Sequence, residues 1–202
     1  MKTIDRGLIM LGLVVTGASS HALVLNFDDV ATNSWTYLST NYQGFTWSAN
    51  AAVLDNAWYN SNYGNNIAFP SASKALFNDS GQATVAAANN ALFTFDGLSA
   101  AFWAASNASW GYSSSTLTVR GYLNNVLVGS SSMNLGAQFA SMSGFAGALD
   151  RLEFINDGQA QHFWLVDNVR LGTPGTVPEP MTMGLGLAAV AAYARRRMKS
   201  AA

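Results

Sequence analysis

Gly121-Tyr122-Leu123-Asn124-Asn125-Val126-Leu127-Val128 reads as a β-hairpin. Two asparagines, a residue type that tolerates φ > 0, stand between two apolar runs, and a two-residue turn of that kind twists in the sense that antiparallel strands require. The residues before it, Thr116-Leu117-Thr118-Val119-Arg120, alternate polar and apolar side chains, the period of a strand with one buried face. The same period recurs on both sides of the hairpin. Towards the N-terminus it marks Leu23-Val24-Leu25-Asn26-Phe27, Gly44-Phe45-Thr46-Trp47-Ser48, Leu92-Phe93-Thr94-Phe95 and Ala100-Ala101-Phe102-Trp103; towards the C-terminus it marks residues 149–155 and 163–171. Short strands separated by turn signals predict an all-β domain, a β-sandwich or jelly roll. Only the alanine-rich stretch at residues 83–91 suits helix as well as strand.

A chain of 202 residues, half of them hydrophobic and a tenth charged, is one globular domain with short appendages and not a disordered chain. Its formal charge of -1 hides an uneven distribution. Lys2, Arg6, Arg195, Arg196, Arg197 and Lys199 sit at the ends against Asp5 alone, whereas residues 22–180 hold four cations against ten carboxylates, a net -6. An acidic body excludes a nucleic-acid binder, which needs clustered Lys and Arg to neutralise phosphates. With no cysteine, neither a disulfide nor a thiolate metal site can form.

The two ends read as addresses. Lys2 and Arg6 precede an apolar run over residues 7–18 and then Ser19-Ser20-His21-Ala22, with small residues where signal peptidase reads them. This is the pattern of a secretory signal peptide, residues 1–22, cut after Ala22. An exported domain without disulfides is held by its core or by a metal ion bound through oxygen ligands. At the other end a linker at residues 173–177 leads to Pro178-Glu179-Pro180, an apolar run at residues 181–194, and the basic cluster Arg195-Arg196-Arg197-Met198-Lys199. At ~1.5 Å per residue the run reaches about 21 Å as a helix, short of the ~30 Å hydrocarbon core, so it suits a transient inner-membrane anchor. A retained single-pass anchor is the alternative. In either case the arginines stay cytoplasmic and the domain at residues 23–172 lies outside.

The order Pro-Glu-Pro, hydrophobic helix, arginine cluster over residues 178–202 resembles the PEP-CTERM sorting signal of Gram-negative bacteria. The resemblance implies processing near Pro178-Glu179-Pro180 by exosortase, a membrane protease-transpeptidase, and delivery to the cell surface or the extracellular (biofilm) matrix. It conveys routing and not activity. The domain in turn resembles a secreted β-sandwich found upstream of these signals, through Asn26-Phe27-Asp28-Asp29, Tyr42-Gln43-Gly44-Phe45-Thr46-Trp47, Val119-Arg120-Gly121-Tyr122 and Leu165-Val166-Asp167-Asn168-Val169-Arg170-Leu171. That architecture is similar to carbohydrate-binding modules of the galactose-binding jelly-roll type, which commonly hold a structural calcium ion between the first and last strands.

Two candidate sites follow. Calcium takes six to eight oxygens at about 2.3–2.6 Å, and Asp28, Asp29, Asp167 and Asn168 supply such oxygens if the opening and closing strands lie side by side. The same residues also suit a turn and a strand end. For sugar, flat aromatic rings receive apolar C–H faces while amides bond hydroxyls. Trp35, Tyr42, Trp58, Tyr59 and Tyr63 with Asn60 and Asn62 have that mix, and the stretch from Asn56 to Asn66 is the best loop candidate. Phe45 and Trp47, two apart in a strand, read as core.

Catalysis is the weakest reading. The mature domain has one histidine, His162, in an apolar stretch that reads as strand, and no nucleophile elbow, H-E-x-x-H motif or cysteine nucleophile. Asp55, Asp79, Asp96, Asp150, Glu153 and Asp157 leave a pair of glycosidase carboxylates open by residue type alone. The sequence therefore predicts an exported, non-catalytic surface protein that binds or organises exopolysaccharide. A purely structural, self-associating matrix protein is the alternative, and a weak glycosidase or lyase is the third reading.

Overall fold

The computed structural model describes residues 22–63, 66–103 and 111–172. The expected signal peptide, residues 1–22, lies outside them except for its last residue, Ala22, and the linker and the sorting signal with its hydrophobic segment lie outside them too. In chain order the elements are β1 (Ala22–Leu25), β2 (Trp35–Tyr37), β3 (Asn41–Tyr42), β4 (Phe45–Trp47), β5 (Ala51–Asp55), α1 (Asn56–Tyr63), β6 (Lys74–Asn78), β7 (Ala83–Ala87), β8 (Phe93–Phe102), β9 (Thr116–Leu123), β10 (Val126–Asn134), β11 (Ala140–Leu149), β12 (Arg151–Ile155) and β13 (Trp164–Gly172). No helix among the described residues is long and apolar enough to cross a membrane.

The strands form two antiparallel sheets. One runs β11-β8-β13-β6-β5-β2, with β1 also paired to β13; the other runs β10-β9-β12-β7-β4-β3. Period-2 patterning decides what each sheet buries. In β9 Leu117 and Val119 turn inward, in β7 Ala83, Val85 and Ala87, in β12 Leu152 and Phe154, and all meet Val53, Leu76, Phe93, Leu98, Trp164 and Val166 of the opposite sheet in one core. Trp47 stacks on Phe154 with ring centroids 6.4 Å apart, and Phe45 meets Phe93 edge-on at 5.4 Å. Each fully buried large side chain contributes about 1.5–3 kcal/mol, so this shared core is what joins the sheets.

The hairpin forms as its sequence requires. Asn124 and Asn125 both take positive φ, 51° and 64°, and Val126 pairs with Leu123 across the turn. Asp150 Oδ2 accepts the Asn124 N–H at 2.6 Å and ties the turn to the start of β12. The alanine-rich stretch resolves as the strand β7, paired with both β4 and β12. The two short runs at 92–95 and 100–103 prove to be parts of one strand, β8. Gly97, at φ 132°, lies between them where β11 approaches so closely that a Cβ would meet the Met142 carbonyl oxygen at 2.3 Å.

The stretch after Asp55, expected as a loop, is instead the helix α1. Asp55 Oδ1 accepts the Trp58 N–H at 3.0 Å as an N-cap. Asparagines are poor helix formers, so the local sequence hides the helix, but burial of Tyr59 against the outer face of the first sheet outweighs that preference.

Candidate functional site

First and last strands are neighbours: Leu25 pairs with Val169 and Ala22 with Gly172. Asp28 and Asp29 lie just beyond β1, in a turn closed by the Val30 N–H on the Phe27 carbonyl at 3.0 Å. In β13 the register against β8 slips by one residue between Asp167 and Arg170, and Asn168 takes φ 49°. Asn168 is thus the extra residue of a β-bulge, a device that re-aims the side chain beside it. Its N–H donates to Asp167 Oδ1 at 2.6 Å.

The re-aimed Asp167 carboxyl is fully buried and accepts the Ser71 N–H at 2.8 Å. Ser71 Oγ lies 3.2 Å from the Asn26 carbonyl oxygen, 3.3 Å from Asp28 Oδ1 and 3.3 Å from the Lys74 carbonyl oxygen. One hydroxyl proton faces three acceptors, so it can serve only one of them at a time. Asp28 Oδ1 also takes Ser73 N–H, Ser73 Oγ–H and Lys74 N–H at 2.8–3.1 Å. Burial pushes Asp167 up to about 6; the Ser71 and Asn168 N–H groups oppose this, and the nearby Asp28 charge adds to it. Among the described residues neither carboxylate has an ion-pair partner, because the Lys74 ammonium turns away to Asp55 at 2.7 Å.

Two carboxylates, two main-chain carbonyls and a hydroxyl are the donor set of a hard cation. No group of three or more His, Asp or Glu side chains placed to hold a metal ion occurs among the described residues, so carbonyl oxygens would have to complete any such site. The other two expected ligands are engaged elsewhere. Asp29 accepts Tyr42 Oη at 2.5 Å and Gln43 Nε2 at 2.8 Å, and Asn168 acts through its backbone.

The aromatic candidates divide by environment. Tyr59 is buried, packed between Tyr63, Phe69 and Trp103 at 5.4–5.7 Å, so its ring is core and is not a sugar platform as expected. Trp58 and Tyr63 are half-buried and meet edge-on at 6.1 Å. Asn60 is spent on structure: its amide holds both the N–H and the carbonyl of Ile67, at 3.0 Å each. Asn62 donates to the Trp58 carbonyl. Tyr42 is remote from this group, stacked on Phe27 at 5.7 Å, and burial, then Asp29, push its phenol well above the usual range. Beside α1 lies a shallow depression of about 400 Å³, lined by Asn56, Asn60, Asn66, Ile67 and Phe69.

Trp35 differs. It is 41% exposed on the edge strand β2, and Tyr37, two residues on and thus on the same face, is 52% exposed. A chain of ring contacts runs from this pair across the outer face of the sheet: Tyr37 to Trp35 at 5.5 Å, Trp35 to Phe77 at 6.0 Å, Phe77 to Trp103 at 4.9 Å, Trp103 to Phe163 at 5.3 Å, and Phe163 to Tyr112 at 6.2 Å. Tyr37 Oη donates to Asp79 Oδ2, and that bond raises its pKa. The period-2 pair Trp35-Thr36-Tyr37 was the available signal for Tyr37.

The carboxylates open to a glycosidase each have a structural partner. Glu153 pairs with Arg151, Asp150 holds the hairpin, Asp96 takes the Thr94 hydroxyl, and Asp55 caps α1. His162 lies before β13 with Nδ1 2.8 Å from Asp157 Oδ1. Ser115 Oγ donates to the same Asp157 at 3.1 Å and not to the imidazole, which is the wrong connectivity for a nucleophile activated by histidine. No family model and no curated protein matches this chain.

Proposed function

We propose that this is an exported, non-catalytic surface protein whose β-sandwich, of jelly-roll type, binds or organises extracellular polysaccharide. The observation that supports the reading is the exposed pair Trp35 and Tyr37, two aromatic rings with the Asp79 carboxylate at their border, at the uncovered edge of a sheet face that α1 and its aromatic cluster otherwise bury. Such a platform suits the C–H face of a sugar ring while the carboxylate bonds hydroxyls. A net charge of -6 over residues 22–180 favours a neutral glycan over an acidic one. Signal peptidase and exosortase would route it, with residues 181–194 as the passing membrane anchor.

A structural calcium ion belongs to the same proposal. Asp28, Asp167, the carbonyls of Asn26 and Lys74 and Ser71 Oγ would hold it, pinning the first turn to the last strand in a domain without disulfides. The test of the sugar reading is affinity electrophoresis of the full chain through neutral and acidic exopolysaccharides. Retardation by a neutral glycan that Trp35→Ala and Tyr37→Ala both weaken supports it. Equal migration of all three proteins in every gel overturns it.

A further inference from the structure

The chain carries no Asp, Glu, Lys, Arg, His or Pro anywhere in residues 121–149. Those residues build β10 and β11, and each ends its sheet: β10 is hydrogen-bonded to β9 and β11 to β8, and among the described residues no strand pairs with the far side of either. The two lie along the same side of the molecule. Phe145 of β11 crosses to β10, where a Cβ on Gly129 would meet its ring at 2.2 Å, so the side is closed by packing while its strand edges stay open.

The opposite side of the molecule is built differently. There the sheets end in β2 and β3, three and two residues long, with Tyr37 tied to Asp79 and Tyr42 to Asp29. Short edge strands set among charges are how proteins prevent edge-to-edge pairing. β10, nine residues long, has neither protection, and Val126, Leu127 and Val128 at its start are 64%, 51% and 41% exposed. A bulge between Leu127 and Gly129 interrupts the pairing with β9, and from Gly129 to Asn134 it is one-for-one.

We propose that β10 pairs antiparallel with β10 of a second copy of this chain, about a twofold axis normal to the sheet, so that two six-stranded sheets become one. The occupant follows from charge. Residues 22–180 carry a net -6, so two copies repel through most of their surfaces and approach with least repulsion where charge is absent. A twofold contact also brings together the same neutral serine-rich edge from each copy, so residues 129–134 supply to each other the N–H and C=O groups each lacks, and the exposed valines and leucine gain cover. This inference does not rest on sugar binding.

Ser132 is exposed on the regular part of β10, opposite the neutral Thr118, whose Oγ1 lies 2.9 Å from the Ser132 Oγ; Glu and Lys there give up that one exposed hydrogen bond alike and differ only in the sign of the charge. The experiment is sedimentation equilibrium of the full chain in mild detergent, for the parent, Ser132→Glu, Ser132→Lys, an equimolar mixture of the two, and Asn41→Glu on the opposite edge. The expected result is a monomer–dimer equilibrium for the parent and for Asn41→Glu, a dissociation constant raised about tenfold or more in each Ser132 variant, and its recovery in the mixture. Recovery also separates repulsion from misfolding, since two misfolded chains do not restore one another. A parent that stays monomeric up to roughly half a millimolar overturns the proposal. So does association that survives both charges, as contacts through the hydrophobic ends would give, or failure of the mixture to recover.

Discussion

Asp28 and Asp167 reach the same serine: Ser71 donates its N–H to Asp167 Oδ2 at 2.8 Å and holds its Oγ 3.3 Å from Asp28 Oδ1. The carboxylates come from opposite ends of the domain and meet because β1 pairs with β13 and a bulge turns Asp167 towards the turn after β1. Burial, and then the neighbouring Asp28 charge, raise the proton affinity of Asp167, and a cation between the two would relieve the same repulsion.

Calcium is therefore expected to raise the melting temperature of EDTA-treated protein at neutral pH. At a hundredfold excess over the dissociation constant the gain is about 2.7 kcal/mol, roughly 5–10 °C for a domain of this size. Asp28→Asn and Asp167→Asn abolish the rise and Asp29→Asn retains it, as read by differential scanning calorimetry. No rise in the parent would remove the ion from the proposal.

The metal-free protein carries a pH signature of Asp167. Asp167 titrates at about 6 in the folded state against 3.8 ordinarily, so its contribution to stability is full below about 3.8 and is lost as pH rises through about 6. Asp55 and Asp157 act in the opposite sense and lose their contribution as pH falls: against the effect of burial, Lys74 and then the Trp58 N–H hold Asp55 low, and the Ser115 N–H and then His162 hold Asp157 low. Subtracting one protein from another isolates Asp167. In EDTA, Asp167→Asn gains on the parent by several degrees in melting temperature between pH 4 and 7, and parallel curves would contradict the assignment.

Tyr59 and Trp35 separate packing from recognition. Tyr59→Ala empties a core position and costs about 3–5 kcal/mol in urea unfolding. Trp35→Ala, at an exposed ring, costs little stability but weakens glycan affinity by about tenfold. Equal stability losses would mean that Trp35 is a packing residue.

Asn125 tests the hairpin. At φ 64° alanine is strained by about 1–2 kcal/mol and glycine is not, so Asn125→Ala lowers the urea midpoint while Asn125→Gly keeps or raises it. Equal midpoints would show that the turn rearranges freely.

The sequence by itself determined what depends on neighbours along the chain. Alternation gave β7, β9 and β12 their buried faces, and Asn124-Asn125 set the turn between β9 and β10, because strand period and turn chemistry are local properties. Tertiary structure decided the rest. β5 and β6, buried along nearly their whole length, have no alternation to read, since one face meets the opposite sheet and the other lies under α1 and its aromatic cluster. Asn56 and Asn60 looked like ligands for hydroxyls, yet they close the chain onto Ile67, because a buried backbone group takes the nearest amide. That Trp35 stands free while Tyr59 is buried, and that Ser71 joins Asp28 to Asp167, follow from strand order, which long-range pairing alone sets.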